Sequence, residues 1–214
     1  MSRAWLPRRF SSAIPALAAA IAVSTFAGVA SAQRSDPAAV TVVGRDPNAR
    51  RCSEQVMRGD SSDATVEYCT RALSYRRIEQ SARLQLLVNR GVTYMRQGQN
   101  EAALSDFDEV IEIEPRHAEA QMNRGAALLQ LHRYGPAIAA FTEALGLDVR
   151  DPYKAYLNRG AAREALGDLR GAYEDYNTAL EIYPNWAPAD AELRRFTHTR
   201  REQVQAAQNR RSDP

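Results

Sequence analysis

The sequence predicts an all-α fold, in which helix–turn–helix hairpins stack on one another and a further helix caps the carboxyl-terminal end. Two repeated features support this fold. The string Asn-Arg-Gly occurs three times at intervals of 34 and 35 residues, and an aromatic residue follows each glycine after sixteen positions. Such a period is typical of repeats with two helices per unit. The strings are Asn89-Arg90-Gly91, Asn123-Arg124-Gly125 and Asn158-Arg159-Gly160, and the aromatic residues are Phe107, Phe141 and Tyr176.

Each repeat predicts two antiparallel helices whose backbones approach closely. The glycine of the first helix has no side chain, and a small residue faces it on the second helix, so that the aromatic ring fills the space beside them. A hairpin of this kind leaves an apolar face uncovered and gains stability only by stacking against its neighbours. The small residues are Ala103, Ala137 and Ala172, and the predicted units are 81–115, 116–151 and 152–186, within a repeat domain of residues 47–186.

A less regular unit is predicted at the front, over residues 47–80. Asp46-Pro47 is a favourable helix start, with a capping residue followed by proline at the first helical position. Cys69 stands where the other units have the aromatic residue, and Cys52 lies at the matching height on the facing helix. We therefore expect a Cys52–Cys69 disulfide that stabilises this hairpin. A redox-active pair is the alternative, although the chain has no Cys-x-x-Cys motif.

The first 32 residues are predicted to be a secretory signal peptide. A basic start precedes an apolar run over 13–30, which ends in the small-x-small string Ala30-Ser31-Ala32. Cleavage after Ala32 would leave a flexible leader over 33–46 and a periplasmic or secreted protein. An uncleaved membrane anchor is the alternative, because the apolar run is almost long enough to span a bilayer.

Charge and composition exclude a strongly basic nucleic-acid-binding domain. The formal net charge is +2, and removal of residues 1–32 takes away three arginines and no acids, which changes it to about −1. The capping helix is predicted over 187–209, with a tail over 210–214. Leu193, Phe196 and Val204 are expected to face inward. This end is rich in arginine, so any contact with a membrane would be made by the basic C-terminal tail.

With its 34-residue period, its glycines and its aromatic residues, the chain resembles the tetratricopeptide repeat (TPR) family. The resemblance implies a right-handed superhelix whose first helices line a concave groove for an extended peptide. The repeated asparagine offers donors and an acceptor that match a peptide bond. The residues expected to line this peptide-binding groove are Asn89, Asn123, Asn158, Val88, Met122, Leu157, Val92 and Lys154.

The asparagines have a second interpretation, in which they only belong to the repeat consensus and bind nothing in particular. The groove also departs from the family's clamp for the C-terminal tails of chaperones, which needs Lys, Asn and Arg at five places. Only Asn123 and Lys154 match that clamp, and Val88 and Val92 stand where Lys and Asn are needed.

The arginines after the asparagines are predicted to be structural. Asp106 and Asp175 each precede the aromatic residue of the same hairpin, so we expect the ion pairs Arg90–Asp106 and Arg159–Asp175 between paired helices. Arg124 faces Ala140 at the corresponding place and must have another partner.

The sequence predicts an exported interaction module with an unidentified protein or peptide partner. The three histidines occur singly, and neither a phosphate-binding loop nor a nucleophile motif is present, so no enzyme, metal site or cofactor is predicted. The alternative functions are a structural component of a cell-envelope assembly, and an accessory subunit of an envelope enzyme or secretion machine. The sequence also leaves open a homodimer, because three full repeats form only a shallow groove.

Overall fold

A computed structural model describes residues 46–75 and 77–212 of the chain. The predicted signal peptide and residues 33–45 of the predicted leader lie outside this part. Within it the chain is helical throughout and has no strand, which confirms the all-α prediction. In chain order the helices are α1 (Pro47–Met57), α2 (Asp63–Leu73), α3 (Gln80–Arg96), α4 (Asn100–Ile113), α5 (Ala118–Gln130), α6 (Tyr134–Gly146), α7 (Pro152–Ala165), α8 (Leu169–Ile182) and α9 (Ala187–Ser212).

The first eight helices pair as four consecutive hairpins, and each hairpin packs against the next along the stack. We call α1, α3, α5 and α7 the first helices and α2, α4, α6 and α8 the second helices. One continuous apolar core joins the second and third hairpins and extends into the front hairpin through Val56. Stability therefore comes from contacts between neighbouring units, as is usual in repeat proteins.

A glycine and an aromatic ring meet at the crossing of each regular hairpin. A Cβ atom added to Gly91 would lie 2.6 Å from the Phe107 ring, and one added to Gly125 would lie 2.8 Å from the Phe141 ring. Gly160 has the same relation to Tyr176, at 2.7 Å. No larger residue fits at these places, because the rings are fully buried and cannot move aside.

The turns within the hairpins use left-handed backbone conformations. Gly98 (φ 76°) and Gly167 (φ 84°) occupy this conformation in the second and fourth hairpins. In the third hairpin His132 takes it, with φ 58°, although a histidine side chain makes the left-handed region unfavourable. The third hairpin therefore keeps the same turn conformation without a glycine.

In the front hairpin a disulfide joins Cys52 on α1 to Cys69 on α2, with their Cα atoms 4.9 Å apart. Both cysteines are fully buried, in a small core with Ala49, Ala72 and Leu86. Asp46 caps α1 by accepting a hydrogen bond from the backbone N–H of Asn48. The disulfide thus lies where the regular hairpins have their aromatic contact.

The last helix, α9, ends at Ser212 and so is three residues longer than the predicted capping helix. Its first part packs on α8, where Ala189 and Phe196 are buried and Leu193 contacts the same core. The expectation for Val204 is wrong, because that side chain is 46% exposed. A helix of 26 residues is about 39 Å long, whereas the 14 residues of α8 span about 21 Å. Val204 therefore lies beyond the end of the stack.

Candidate functional site

The asparagine of each first helix points away from the second helix of its hairpin. Asn89 and Gly91 are two residues apart, which corresponds to about 200° around a helix. Because Gly91 contacts Phe107 on α4, Asn89 lies on the opposite side of α3. Residues four before, three after and seven after the asparagine share that side. We call this side the asparagine face, and its residues are Gln85, Asn89, Val92 and Arg96 on α3, Glu119, Asn123, Ala126 and Gln130 on α5, and Lys154, Asn158, Ala161 and Ala165 on α7.

The asparagine face of α3 is covered by α1. The Nδ2 atom of Asn89 donates a hydrogen bond of 3.3 Å to Oγ of Ser53, and Nη1 of Arg96 donates one of 2.9 Å to the carbonyl oxygen of Val56. Asn89 is only 1% exposed, and Val88 and Val92 are buried in the core. The expectation that Asn89, Val88 and Val92 line an open groove is therefore wrong, because the front hairpin packs over them.

The asparagine faces of α5 and α7 are more open than that of α3 at the residues around the asparagine, although Asn123 is itself as buried as Asn89. Asn123 is 1% exposed and Asn158 is 7% exposed, while Ala126, Ala161 and Gln130 are partly accessible and Ala165 is exposed. Lys154 is partly accessible at the start of α7. The groove therefore opens progressively from the front hairpin towards α7.

The apolar residues expected on the groove floor belong to the interior. Met122 and Leu157 are both buried, Met122 in the main core and Leu157 in the cluster under α9. Each lies about 100° around the helix from its asparagine, which turns it into an apolar cluster where close packing removes it from solvent. The expected apolar floor is therefore absent, and small and polar side chains form the accessible surface.

In the described part of the chain three asparagines, Asn89, Asn100 and Asn123, hold amide atoms that are buried without a partner, and two of them lie on the asparagine face. Within the described residues, Oδ1 of Asn89 and Nδ2 of Asn123 have no hydrogen-bond partner. An unpaired buried amide atom costs about 1–3 kcal/mol of stability. The Nδ2 atom of Asn123 lies on the same side of α5 as the partly accessible Ala126 and Gln130, but it is itself buried, so a carbonyl oxygen would reach it only after neighbouring side chains move.

Both predicted ion pairs are present between first and second helices. Arg90 donates to the two carboxylate oxygens of Asp106 at 2.9 and 2.7 Å, and Arg159 donates to those of Asp175 at 3.0 and 2.8 Å. Burial raises the pKa of the Asp106 carboxyl, and the hydrogen bonds from Arg90 oppose that rise. Arg163 adds a second contact to Asp175, at 2.9 Å. These pairs lie on the glycine side of the hairpins, away from the asparagine face.

The three arginines also connect each unit to the preceding one. Arg90 donates to the hydroxyl of Thr70 and Arg159 to that of Thr142, both at 3.1 Å. Arg124, whose partner the sequence did not identify, donates to Asp108 at 2.6 Å. All three acceptors directly follow the cysteine or aromatic residue of the previous second helix. The sequence signal for these contacts was the shared position of the acceptors, one residue after the cysteine or aromatic residue. Each contact joins an arginine to the preceding unit and not to its own hairpin.

A polar network fixes α9 against the last hairpin. Arg195 donates to both carboxylate oxygens of Glu164, at 2.9 and 2.8 Å, and the Tyr176 hydroxyl donates to the same carboxylate at 2.8 Å. Burial and the nearby Glu164 charge raise the pKa of Tyr176 far above its usual range. The phenol therefore stays protonated and continues to donate. The network joins α9 to both helices of the last hairpin.

Residues 46–75 and 77–212 contain neither a metal-binding cluster nor a membrane-spanning helix. No group of three or more His, Cys, Asp or Glu side chains in these segments is arranged to hold a metal ion. None of their helices combines the length and the apolar character needed to cross a membrane.

A stack of glycine-and-aromatic hairpins, with the first helices aligned on one side, defines a helical-repeat protein. A model of the tetratricopeptide repeat family matches residues 88–148 and, overlapping with them, 127–185. The solved first TPR domain of Spaghetti (RPAP3), bound to the HSP90 peptide SRMEEVD, is 30% identical, with a TM-score of 0.53 over 98% of that domain and 58% of this chain. The chain belongs to the tetratricopeptide repeat family.

Other relatives share parts of the chain. RNA polymerase II-associated protein 3 of Xenopus tropicalis is 36% identical over 107 residues, which are 50% of this chain and 16% of that protein. Serine/threonine-protein phosphatase 5 of Rattus norvegicus is 35% identical over 43% of this chain and 18% of that protein. The chain thus spans less than a fifth of these relatives. MamA from Desulfovibrio magneticus RS-1 shares the fold, with a TM-score of 0.62 at 19% identity over 80% of this chain and 100% of that one.

Proposed function

We propose that the protein is an exported, non-enzymatic interaction module that binds an extended segment of a partner polypeptide on the asparagine face of α5 and α7. The observation that carries this proposal is the unpaired, buried Nδ2 of Asn123, with Asn158 at the equivalent place on the next first helix. A side-chain amide can donate to a peptide carbonyl and accept from a peptide N–H. A bound strand would supply the partner that Nδ2 of Asn123 lacks, once the side chains that cover this atom move aside.

The relatives support a protein or peptide as the ligand. Nearly the whole of the Spaghetti TPR domain, 98% of it, is similar to part of this chain, and that domain was solved with a bound peptide. The surface of α5 and α7 has few exposed charges and several small side chains, which suits a polypeptide backbone better than a polyanion such as nucleic acid.

Export is proposed from the composition of residues 1–32 and is supported by the Cys52–Cys69 disulfide, because disulfides persist in oxidising compartments. Mass spectrometry of the protein from its native host tests this proposal. We expect a mature chain that begins at Gln33 and is recovered outside the cytoplasm. A chain that keeps residues 1–32 and stays in the cytoplasm would contradict it.

The binding proposal is tested with peptides selected by the purified protein from a random phage-displayed library. We expect the Asn123→Ala/Asn158→Ala double variant to bind a selected peptide at least about tenfold more weakly, because two amide hydrogen bonds are lost. Asn89→Ala is the matched control, since Asn89 is covered by α1 and bonded to Ser53. It should change the affinity by less than about twofold. Equal affinity of the double variant and the native protein would remove the asparagine face from the function.

A further inference from the structure

We infer that the segment bound at the asparagine face is an internal stretch of its partner without acidic side chains, and not a free carboxyl terminus. This inference rests on the proposed function and specifies the kind of ligand. It is carried by the cations beside the face, which are engaged in contacts within the chain, by the accessible Glu119, and by the usual spacing of packed helices.

The cations of the asparagine face are already bonded. Nζ of Lys154 lies 2.9 Å from the Asp151 carboxylate, and Arg96 on α3 donates to the Val56 carbonyl oxygen. Recognition of a carboxylate in a groove depends on charge-assisted hydrogen bonds from an available cation. The cations named here are each neutralised or bonded before a ligand arrives.

The remaining charge on the face disfavours an anion. Glu119 on α5 is partly accessible, four residues before Asn123, and its carboxylate lies 3.9 Å from Nδ1 of His117, a nitrogen that accepts a hydrogen bond from the backbone N–H of Ala120. A terminal carboxylate placed near Asn123 would approach this glutamate, and like charges at short range repel. By contrast, the peptide SRMEEVD bound by the Spaghetti domain has three acidic side chains.

The geometry of the asparagines suits the middle of an extended chain. Neighbouring packed helices have axes about 8–10 Å apart. An extended strand advances about 3.3 Å per residue, so peptide groups about three residues apart would meet Asn123 and Asn158 in turn. Ala126 and Ala161 lie beside these amides and are partly accessible, which leaves room for side chains of the bound segment. Such contacts use the backbone of the segment and do not require a terminus.

The test compares three peptides by calorimetry on the native protein. The first is the selected library peptide with acetylated and amidated ends, the second is the same peptide with a free carboxyl terminus, and the third is SRMEEVD. We expect the first to bind, the second to bind no more than about twofold better, and the third to show no binding at 1 mM, which is about the limit of a weak complex. A free-carboxylate form that binds tenfold tighter, or micromolar binding of SRMEEVD, would overturn the inference while the proposed function survives. No binding of any peptide would remove both.

A variant provides a second, independent readout. Asp151→Asn removes the partner of Lys154, and asparagine is an equally good residue for the N-cap position that Asp151 occupies at α7. We expect it to improve binding of the free-carboxylate peptide by about threefold to fivefold and to leave the amidated peptide unchanged. Asp151→Asn/Lys154→Gln is the matched control and should lose that gain. Without any gain in Asp151→Asn, the pairing of Lys154 is not what excludes a carboxylate.

Discussion

The front hairpin and the three regular hairpins close the same helix crossing by different means. In a regular hairpin a buried ring, such as that of Phe141, packs on a glycine of the first helix. In the front hairpin the Cys52–Cys69 disulfide occupies that place. A buried aromatic side chain and a disulfide of this loop length each contribute about 3 kcal/mol or more, so the two solutions are comparable in size. A covalent link therefore replaces packing where the side chains are too small to fill the crossing.

The two kinds of hairpin also differ in what they do with the asparagine face. The front hairpin places α1 over α3, so that Asn89 bonds to Ser53 and is withdrawn from solvent. The third and fourth hairpins leave the faces of α5 and α7 partly open. The front unit thus acts as the end wall of the groove, and the rear units present its accessible part. The predictions below test this division of roles.

The largest effect is expected at a regular crossing. Phe141→Ala removes a fully buried ring beside Gly125 and should lower the free energy of unfolding by about 4 kcal/mol, because it creates a cavity in the main core. Tyr75→Ala is the control, since this side chain is 65% exposed and its loss should cost less than about 0.5 kcal/mol. Urea denaturation measures both values. Similar values for the two variants would show that the ring does not hold the crossing.

Removal of the disulfide should have the next largest effect on stability. The resulting loss of hydrogen-exchange protection should be confined to the front hairpin. Cys52→Ala/Cys69→Ala should lower the free energy of unfolding by about 3 kcal/mol, because the unfolded chain is no longer restricted. Amide hydrogen exchange should show lost protection in α1 and α2, with α5 to α8 largely unchanged. Uniform loss of protection along the stack would contradict the separate role of the front hairpin.

Replacement of the arginines that link units should lower stability by a smaller amount, which should differ between Arg90 and Arg124. Arg90→Met leaves the buried Asp106 carboxylate without its partner and should cost about 2 kcal/mol, less than for a fully buried pair because Arg90 is partly exposed. Arg124→Met is the matched control in the next unit. Its pair with Asp108 is much more exposed, and its loss should cost at most about 0.5 kcal/mol. Thermal unfolding of both variants tests the contrast, and equal losses would contradict it.

The sequence predicted those parts of the fold that depend on contacts at fixed spacing. The glycine-to-aromatic distance of sixteen residues defines each hairpin, and the pair of Arg90 with Asp106 has the same separation, so both could be predicted from the sequence. The partner of Arg124 was missed although it is also sixteen residues away, because Asp108 precedes the arginine and lies in the previous unit.

The candidate site was predicted less completely than the fold. Helical periodicity indicates which side of α3 carries Asn89, but it does not show how closely the neighbouring first helix packs over that side. The burial of Val88 and Met122 has the same cause. Val204 was placed inward because its spacing fits an amphipathic helix, whereas its exposure follows from the length of α9 relative to α8.

The smallest expected effect is a change in the free energy of unfolding, which should have opposite signs for replacement of Asn89 and of Asn123. Asn89→Ala removes a buried hydrogen bond to Ser53 together with the unpaired Oδ1, so the net loss of stability should be about 0.5 kcal/mol. Asn123→Ala removes an amide nitrogen that is buried without a partner, and should raise the free energy of unfolding by about 0.5 kcal/mol. Urea denaturation midpoints of the two variants measure the difference. A residue whose replacement stabilises the fold while weakening peptide binding is retained for function, a trade-off that is common at binding sites. If Asn123→Ala instead lost 1 kcal/mol or more, the amide would have a structural role, and Asn158 alone would be left as a candidate contact for the peptide.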